Sequence, residues 1–432
     1  MNRSASAPAY GTSCELPEAV SLSRDPKAVA PWVLEHMLRP GHTLRSLQPV
    51  YSRYKGEDGG LVTYRLDVEG GQGRETTYVT VRTGPRWRLE SQAERFLDPA
   101  HQGRPGPLDP VHVDLNVGVL LVAFPLDRAM RDLRRAIRVK WVRRWLESAG
   151  ILSRQGSRLS RRRSRVHILS YRPERRAVLR LDGRLEDDTE VQAYLRLQAD
   201  PNVARRSWAA GRALGRAGLP GPRPLGRPRP ELVVESAVPG RPRPPGSVSS
   251  DSLRALGALL ARIHDVEAPE DLKPTTGEAV RVAATRCVED LIPLHADLGT
   301  RAMHCLRELG QGPTGNAGAL LHGDLHFGQV LFDSDQPALV DWDRSSGGNP
   351  SEDLGTLHAH LLARHATLAE ESMNQVLAGY EAQGGVLRTD EVRWYRGHAL
   401  LRLVNMPYRA LRSDWEGQTA EILGWAEADV PC

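Results

Sequence analysis

Four side chains between residues 324 and 343 are of types that could act together: Asp324, Gln329, Asp341 and Asp343. They lie in L-L-H-G-D-L-H-F-G-Q-V-L-F-D (320–333) and P-A-L-V-D-W-D (337–343), and G-G-N-P-S-E-D-L-G (347–355) follows. The apolar runs Leu320-Leu321 and Ala338-Leu339-Val340 each deliver an acid at their end, and Val330-Leu331 lies between them. The pattern predicts strand, loop and hairpin, with the acids gathered where the loops leave the strands. Such a hairpin brings the four side chains into one small volume. Phosphoryl transfer needs hard-oxygen ligands for a metal that holds phosphates, and a separate carboxylate to orient the attacking hydroxyl. Turns favour aspartate for local reasons, but seldom in this full pattern.

The order H-G-D-x-x-x-x-Q, then h-h-D-W-D, then G-x-P-x-x-D-L resembles the aminoglycoside phosphotransferase/choline kinase family. Three linked motifs in order are far more specific than a lone H-G-D. The resemblance implies an α+β, protein-kinase-like bilobal fold, with a β-rich N-lobe and a helical C-lobe, and the use of ATP with Mg²⁺. Residue by residue, it implies Asp324 as catalytic base and Asp341 as principal Mg²⁺ ligand, with Asp343 assisting. Gln329 stands where the family usually has Asn as second metal ligand, as in maltokinase-like members. His322 is expected to support the loop, and Asp353 to tie the following helix back to it. Arg196, on the strand Tyr194-Leu195-Arg196-Leu197, would have to steady the phosphates where the family uses lysine. Arginine can do so bidentately but is bulkier. The helix that follows has no acid after Asp200, so the usual partner of that cation is missing from its place. The stretch 232–240 resembles the hinge between lobes, which puts the adenine near Glu235, Ser236 and Ala237.

These motifs need elements to hold them. Residues 1–27 read as a flexible arm, small and polar. A β-rich N-terminal domain is expected over 28–150, an Arg-rich connection over 154–165, a kinase-like N-lobe over 166–240 and a helical C-lobe over 241–432. The first domain and the N-lobe share a sequence order. Y-R-P-E-R-R-A-V-L-R-L (171–181) is like Y-K-G-E-D-G-G-L-V-T-Y-R-L (54–66), and A-Y-L-R-L-Q (193–198) is like T-Y-V-T-V-R (77–82). L-V-V-E-S-A-V-P-G (232–240) is like L-V-A-F-P-L-D (121–127), so the separation is about 110–117 residues throughout. The N-terminal domain is therefore expected to be a degenerate copy of the N-lobe, unless two unrelated β-meanders merely look alike. His264 ends an apolar helical stretch and reads as a packing histidine.

The composition, 26% charged and 40% hydrophobic with net charge +5, describes an ordinary globular chain. All but four of its 58 basic residues are arginine. The basic run at 154–165 has no interleaved aromatics, so no nucleic-acid partner is expected. The cysteines Cys14, Cys287, Cys305 and Cys432 lie far apart, which disfavours a zinc site and fits a reducing compartment. No apolar run spans a membrane and no apolar signal core is visible, so a cytoplasmic location is expected.

The function expected from this reading is ATP- and Mg²⁺-dependent phosphorylation of a hydroxyl on a small molecule: a sugar, an aminoglycoside-like compound or an amino-alcohol. Two alternatives stay open. One is a kinase of peptide Ser/Thr side chains in a modified-peptide pathway. The other is a catalytically impaired pseudokinase acting as a nucleotide-binding scaffold. Aromatic and acidic residues of the C-terminal helices, among them Asp390, Glu391, Asp414, Trp394 and Trp415, read as packing and solvated charge or as a substrate lining.

Overall fold

The structure is a computed structural model, and it describes residues 18–54, 59–71, 73–97, 106–151, 158–313 and 318–431. Residues 1–17 of the expected arm and 154–157 of the basic connection lie outside the described residues. Helices α1 (Glu18–Arg24) and α2 (Pro26–His36) come first. The remainder of the expected arm is thus helical up to Arg24, not loose. Val20 is buried, and the Tyr64 hydroxyl donates to the Ser23 carbonyl at 2.9 Å, which fastens α1 to the sheet behind it. Asp25 caps α2 by accepting the Lys27 N–H at 2.9 Å, and Pro26 opens it.

That sheet consists of β1 (Thr43–Tyr54), β2 (Gly60–Gly70), β3 (Gly73–Thr83), β4 (Val111–Asp114) and β5 (Val119–Ala123), with α3 (Arg86–Leu97) between the third and fourth strands. After α4 (Leu133–Ala136) and α5 (Val139–Ser148) comes a second sheet of β6 (Arg165–Arg172), β7 (Arg176–Arg184), β8 (Glu190–Gln198), β9 (Pro224–Arg229) and β10 (Leu232–Ser236). Here too a helix, α6 (Pro201–Arg216), separates the third and fourth strands. The strand orders are β1-β2-β3-β5-β4 and β6-β7-β8-β10-β9, the same topology twice. The registers agree as well. Thr80 lies opposite Thr63 and Val122, and Arg196 lies opposite Val178 and Val233, which are the correspondences of the sequence recurrence. Alternation drives these strands: along β7, Ala177, Leu179 and Leu181 are buried while their neighbours are half-buried.

The two sheets are joined by a shared aromatic core. Tyr78 of β3, Phe124 and Tyr171 of β6 meet in tilted and edge-on pairs with centroids 5.0–5.9 Å apart. Edge-to-face contacts of this kind add about 0.5–1.5 kcal/mol each beyond area burial.

The helical lobe starts with β11 (Arg241–Pro242), α7 (Ser250–His264), α8 (Gly277–Leu291) and α9 (Ala296–Glu308). The motif segment follows as β12 (Ala319–Leu321), β13 (Val330–Asp333), β14 (Gln336–Leu339) and β15 (Ser346–Gly348). The predicted hairpin is β13–β14, with Val330 opposite Leu339, while β12 pairs with β15. Helices α10 (Ser351–Ala382), α11 (Thr389–Leu403), α12 (Met406–Arg409) and α13 (Trp415–Glu427) complete the lobe. Along residues 351–382 two helical segments meet at a kink at His365, where φ is −148° and ψ 44°. Its core includes Leu256, Leu260, Ile263, Trp342, Leu357 and Leu400, all fully buried. No helix among the described residues is long and apolar enough to cross a membrane.

Candidate active site

The loop after β12 is built by hydrogen bonds from below. Asp353, in the first turn of α10 and fully buried, accepts the His322 N–H at 2.7 Å and the Gly323 N–H at 2.9 Å. His264 lies 3.3 Å from the same carboxylate and 3.0 Å from the Tyr380 hydroxyl, so its ring is satisfied inside the core. His322 reaches the Val340 carbonyl at 2.9 Å and tilts against Trp342, which ties the loop to the end of β14. Gly323 has φ +76°, and a Cβ there would lie 2.2 Å from the Arg344 carbonyl oxygen. Only glycine fits that turn.

Asp324 emerges from this loop with its side chain one-third exposed, 3.6 Å from Arg344. Burial raises its proton affinity, but Arg344, His360 and Arg402 outweigh that and bring its pKa down to about 2. It is ionised at neutral pH, and a carboxylate with so low a pKa can accept a hydrogen bond but is a weak base. His326, beside it, is held down to about 4 by burial and by Arg364, so it is neutral.

Asp341, two residues beyond the end of β14, lies in the left-handed region, with φ 72° and ψ 53°. A non-glycine residue there is strained, and such strain concentrates at functional positions. Its carboxylate is gripped by the lobe above. Arg176 Nη1 donates to Asp341 Oδ1 at 2.7 Å and to Asp343 Oδ2 at 2.8 Å. Arg196 donates to Asp341 Oδ1 and lies 2.8 Å from Asp343 Oδ1. Gln198 donates to Asp343 Oδ2 at 2.8 Å, and Gln329 Nε2 lies 3.4 Å from Asp341 Oδ2. Burial pushes Asp341 upward, but the two guanidinium groups hold it far below the usual carboxylate range.

Arg196 has a counter-ion that the missing helix acid left unexplained. Glu235, on the neighbouring strand β10, lies 3.9 Å from its Nε, and Ser207 of α6 donates to Glu235 at 3.1 Å. Burial raises Glu235 to about 7 while Arg196 draws it down. Its side chain is turned toward the ion cluster. The Ser236 N–H donates to the Arg223 carbonyl at 2.9 Å, and the Ser236 hydroxyl accepts the Arg223 N–H at 3.1 Å. Ala237 follows the end of β10.

A cleft of ≈ 520 Å³ opens between the lobes, lined by Asp324, Asp341 and Asp343 together with Arg172, Arg175, Arg176, Arg206, Lys273 and Arg344. Arg172 is held below its ordinary pKa by burial and by Arg176, and neither it nor Arg175 forms an ion pair among the described residues. Six cations against three carboxylates leave a surplus that favours a polyanion. The C-terminal acids and aromatics do not line this cleft. Trp394 and Tyr395 are buried, and Glu391 binds Asn349 at 2.6 Å.

The donor set fits a hard divalent cation in kind: two converging carboxylates, and the buried Gln329 Oε1, which has no hydrogen-bond partner among the described residues. No cluster of three His, Cys, Asp or Glu side chains able to hold a metal occurs among the described residues, and the third donor here is an amide.

Sequence reasoning had marked Asp324, Gln329, Asp341, Asp343 and Arg196, and the structure brings all five to this cluster. It had missed Arg176, Gln198 and the pairing of Glu235 with Arg196. Arg176 opens β7 directly opposite Gln198, a cross-strand pair visible only once the hairpin register is known.

Residues 156–398 match the family model described as phosphotransferase enzyme family, and the chain belongs to that family. It is accordingly a phosphotransferase with an alcohol group as acceptor, with a protein-kinase-like bilobal α+β fold and an additional N-terminal β domain. Among solved structures it is similar to macrolide 2'-phosphotransferase MphH from Brachybacterium faecium, at 20% identity over 66% of this chain and 96% of that one, TM-score 0.43. A choline/ethanolamine kinase family protein from Mesorhizobium loti gives 18% identity over 68% and 95%, TM-score 0.46. A putative aminoglycoside phosphotransferase from Ralstonia eutropha gives 15% over 67% and 95%, TM-score 0.48. No curated protein matches.

Proposed function

We propose that the protein uses ATP with Mg²⁺ to phosphorylate a hydroxyl of a small molecule, and that Asp324 orients that hydroxyl. The observation that carries this reading is the convergence of Asp324, Asp341 and Asp343 on one cleft whose surplus charge is positive, with the buried Gln329 3.4 Å from Asp341. In it, Arg172, Arg175 and Arg176 bind the phosphates, and Arg196 holds Asp341 and Asp343 in place. The hinge strand near Glu235–Ala237 borders the adenine. Asp341, Asp343 and Gln329 would hold a divalent ion, whose chemistry here would be neutralisation of phosphate charge. For the metal to bind, a guanidinium must leave the carboxylates. Arg176 is the more exposed of the two, 19% against 9% for the Arg196 side chain, and is the one free to move to the phosphates. Rate then comes from position and charge neutralisation.

Among acceptors, the cleft favours a neutral polyol such as a sugar over a polycation, because among the described residues the acids lining it are the three Asp residues that the chemistry uses. A second reading has one observation behind it: Asp341 and Asp343 are already neutralised by arginine, as in a protein that binds nucleotide without metal and without turnover.

Thermal unfolding with ATP, with and without Mg²⁺, on wild type and Asp341→Ala separates these readings. Ligand that binds the folded state stabilises it by mass action, by about 2.7 kcal/mol at a hundredfold excess over Kd, and so raises the melting temperature. The kinase reading expects Mg²⁺-dependent stabilisation that Asp341→Ala abolishes, then turnover in an acceptor screen with Asp324→Ala as control. Stabilisation by ATP alone, unchanged by Mg²⁺, would favour the metal-free reading. No shift at millimolar nucleotide would overturn both.

A further inference from the structure

The turn between β6 and β7, Arg172-Pro173-Glu174-Arg175, covers the cleft and contains no glycine. Arg172 and Arg175 face the cleft, as does Arg176 after them, but Glu174 does not. It sits in the left-handed region at φ 59°, a conformation that costs a non-glycine residue roughly 1–2 kcal/mol. Its carboxylate points away, into the N-terminal domain, where its side chain is only 8% exposed. There Arg82 Nη2 donates to Glu174 Oε1 at 3.0 Å, Arg53 Nη2 to Oε2 at 3.0 Å, and Arg128 Nε to Oε1. The Glu174 N–H donates to Asp127 Oδ2 at 2.8 Å, which also accepts the Tyr171 hydroxyl at 3.0 Å.

The place where this happens matters. By strand register, Leu61 and Arg82 of the first sheet correspond to Arg176 and Gln198 of the second: each pair lies directly opposite, at the same position in the same topology. In the second sheet that position holds a carboxylate of the next domain, Asp343, which both Arg176 and Gln198 contact. In the first sheet it also holds a carboxylate of the next domain, Glu174. The N-terminal copy thus uses its counterpart of the nucleotide-facing surface to grip the turn of the catalytic copy.

We infer that Arg82, with Arg53 and Arg128, is a positioning residue for nucleotide binding: by gripping Glu174 it presents Arg172, Arg175 and Arg176 to the phosphates. This rests on the nucleotide reading given above. The N-terminal domain also touches the opposite lobe, where Arg24 donates to the Tyr408 carbonyl at 3.1 Å and Ser52 to the Arg409 carbonyl at 3.1 Å. The grip is therefore braced from both sides of the cleft.

The test uses the full chain as Glu174→Gln, Arg82→Gln and Arg82→Lys. Amide hydrogen exchange over residues 171–176 is measured without ligand, and ATP affinity by calorimetry with Mg²⁺. The inference expects faster exchange in this turn for Glu174→Gln and Arg82→Gln, and ATP binding about tenfold weaker, within the usual range for coupling between sites. Arg82→Lys, which keeps the charge, should restore part of both. Glu174→Gln preserves volume, so it guards against simple misfolding of the buried Arg82 variant. Unchanged exchange in 171–176 overturns the inference whether or not nucleotide binds. Faster exchange with unchanged ATP affinity also overturns it, since the grip would then be structural only. If wild type binds no nucleotide, the nucleotide reading fails and so does this positioning role, while the exchange data alone decide whether the grip exists.

Discussion

At the scale of single residues, the site is a problem in buried charge. Arg176 and Arg196 face Asp341 and Asp343, and Glu235 supplies the counter-ion that helix α6 lacks. A displaced acid serves Arg196 as well as a helical one, because what a buried guanidinium requires is a carboxylate within reach, from whichever strand. Glu352 shows the opposite case. It is 5% exposed, its Oε2 has no hydrogen-bond partner among the described residues, and burial raises its pKa to about 7 from an ordinary 4.5. An acid whose folded pKa is raised binds a proton more readily in the folded chain than in the unfolded one. Stability therefore falls as pH rises from about 4.5 to about 7, by of order 3 kcal/mol, and is level above that window. Glu352→Gln should remove this loss: its melting temperature should exceed that of wild type at pH 8 but not at pH 5. Equal differences at both pH values would show that Glu352 does not titrate in that range. The acids of the motif segment were legible because they lie close together in sequence. The cations that grip them were not, since Arg176 is 165 positions from Asp341 and strand alternation alone does not say which arginine turns inward.

At the scale of elements, the catalytic loop depends on the first turn of α10. Asp353 takes two loop N–H groups on its two oxygens and shares one of them with His264. Replacing it by alanine strands two buried donors, each costing about 1–3 kcal/mol. Asp353→Ala should lower stability in urea unfolding by several times that of a surface substitution. It should abolish transfer while leaving Mg²⁺-dependent ATP stabilisation measurable, because Asp341 and Asp343 are held by Arg176 and Arg196 rather than by this loop. Loss of both functions together would place Asp353 in nucleotide binding. The strands of both sheets were readable from alternation and turn residues. The position of the break in α10 was not, because the kink at His365 falls where no proline or glycine marks a bend. Helix α1 was missed because seven residues give little periodicity, and its anchor is the distant Tyr64 hydroxyl.

At the scale of the molecule, one topology is used twice in tandem, and the first copy spans from the second copy's turn to the helical lobe. Similarity of short strand segments suggested the duplication, and the matching registers give it physical form. Arg24 is where the first copy meets the helical lobe: it lies 3.8 Å over the Tyr408 ring and donates to the Tyr408 carbonyl and the Ser52 hydroxyl. Arg24→Ala should lower the melting temperature by a few degrees, from the loss of about 1–2 kcal/mol in cation–π and hydrogen-bond contacts. The unfolding transition should also broaden as the first copy loosens from the rest. A single sharp transition at the wild-type temperature would mean that the lobes are held by other contacts.

Only four lysines occur in the whole chain, and Lys273 lines the cleft. Where arginine has taken over nearly every basic role, an amine becomes a rare chemical address. Reagents that acylate amines ignore guanidinium groups, so protection of Lys273 by a bound ligand can be followed by mass spectrometry with little background from the arginines around it. The predominance of arginine over lysine thus leaves the cleft with a built-in reporter of occupancy.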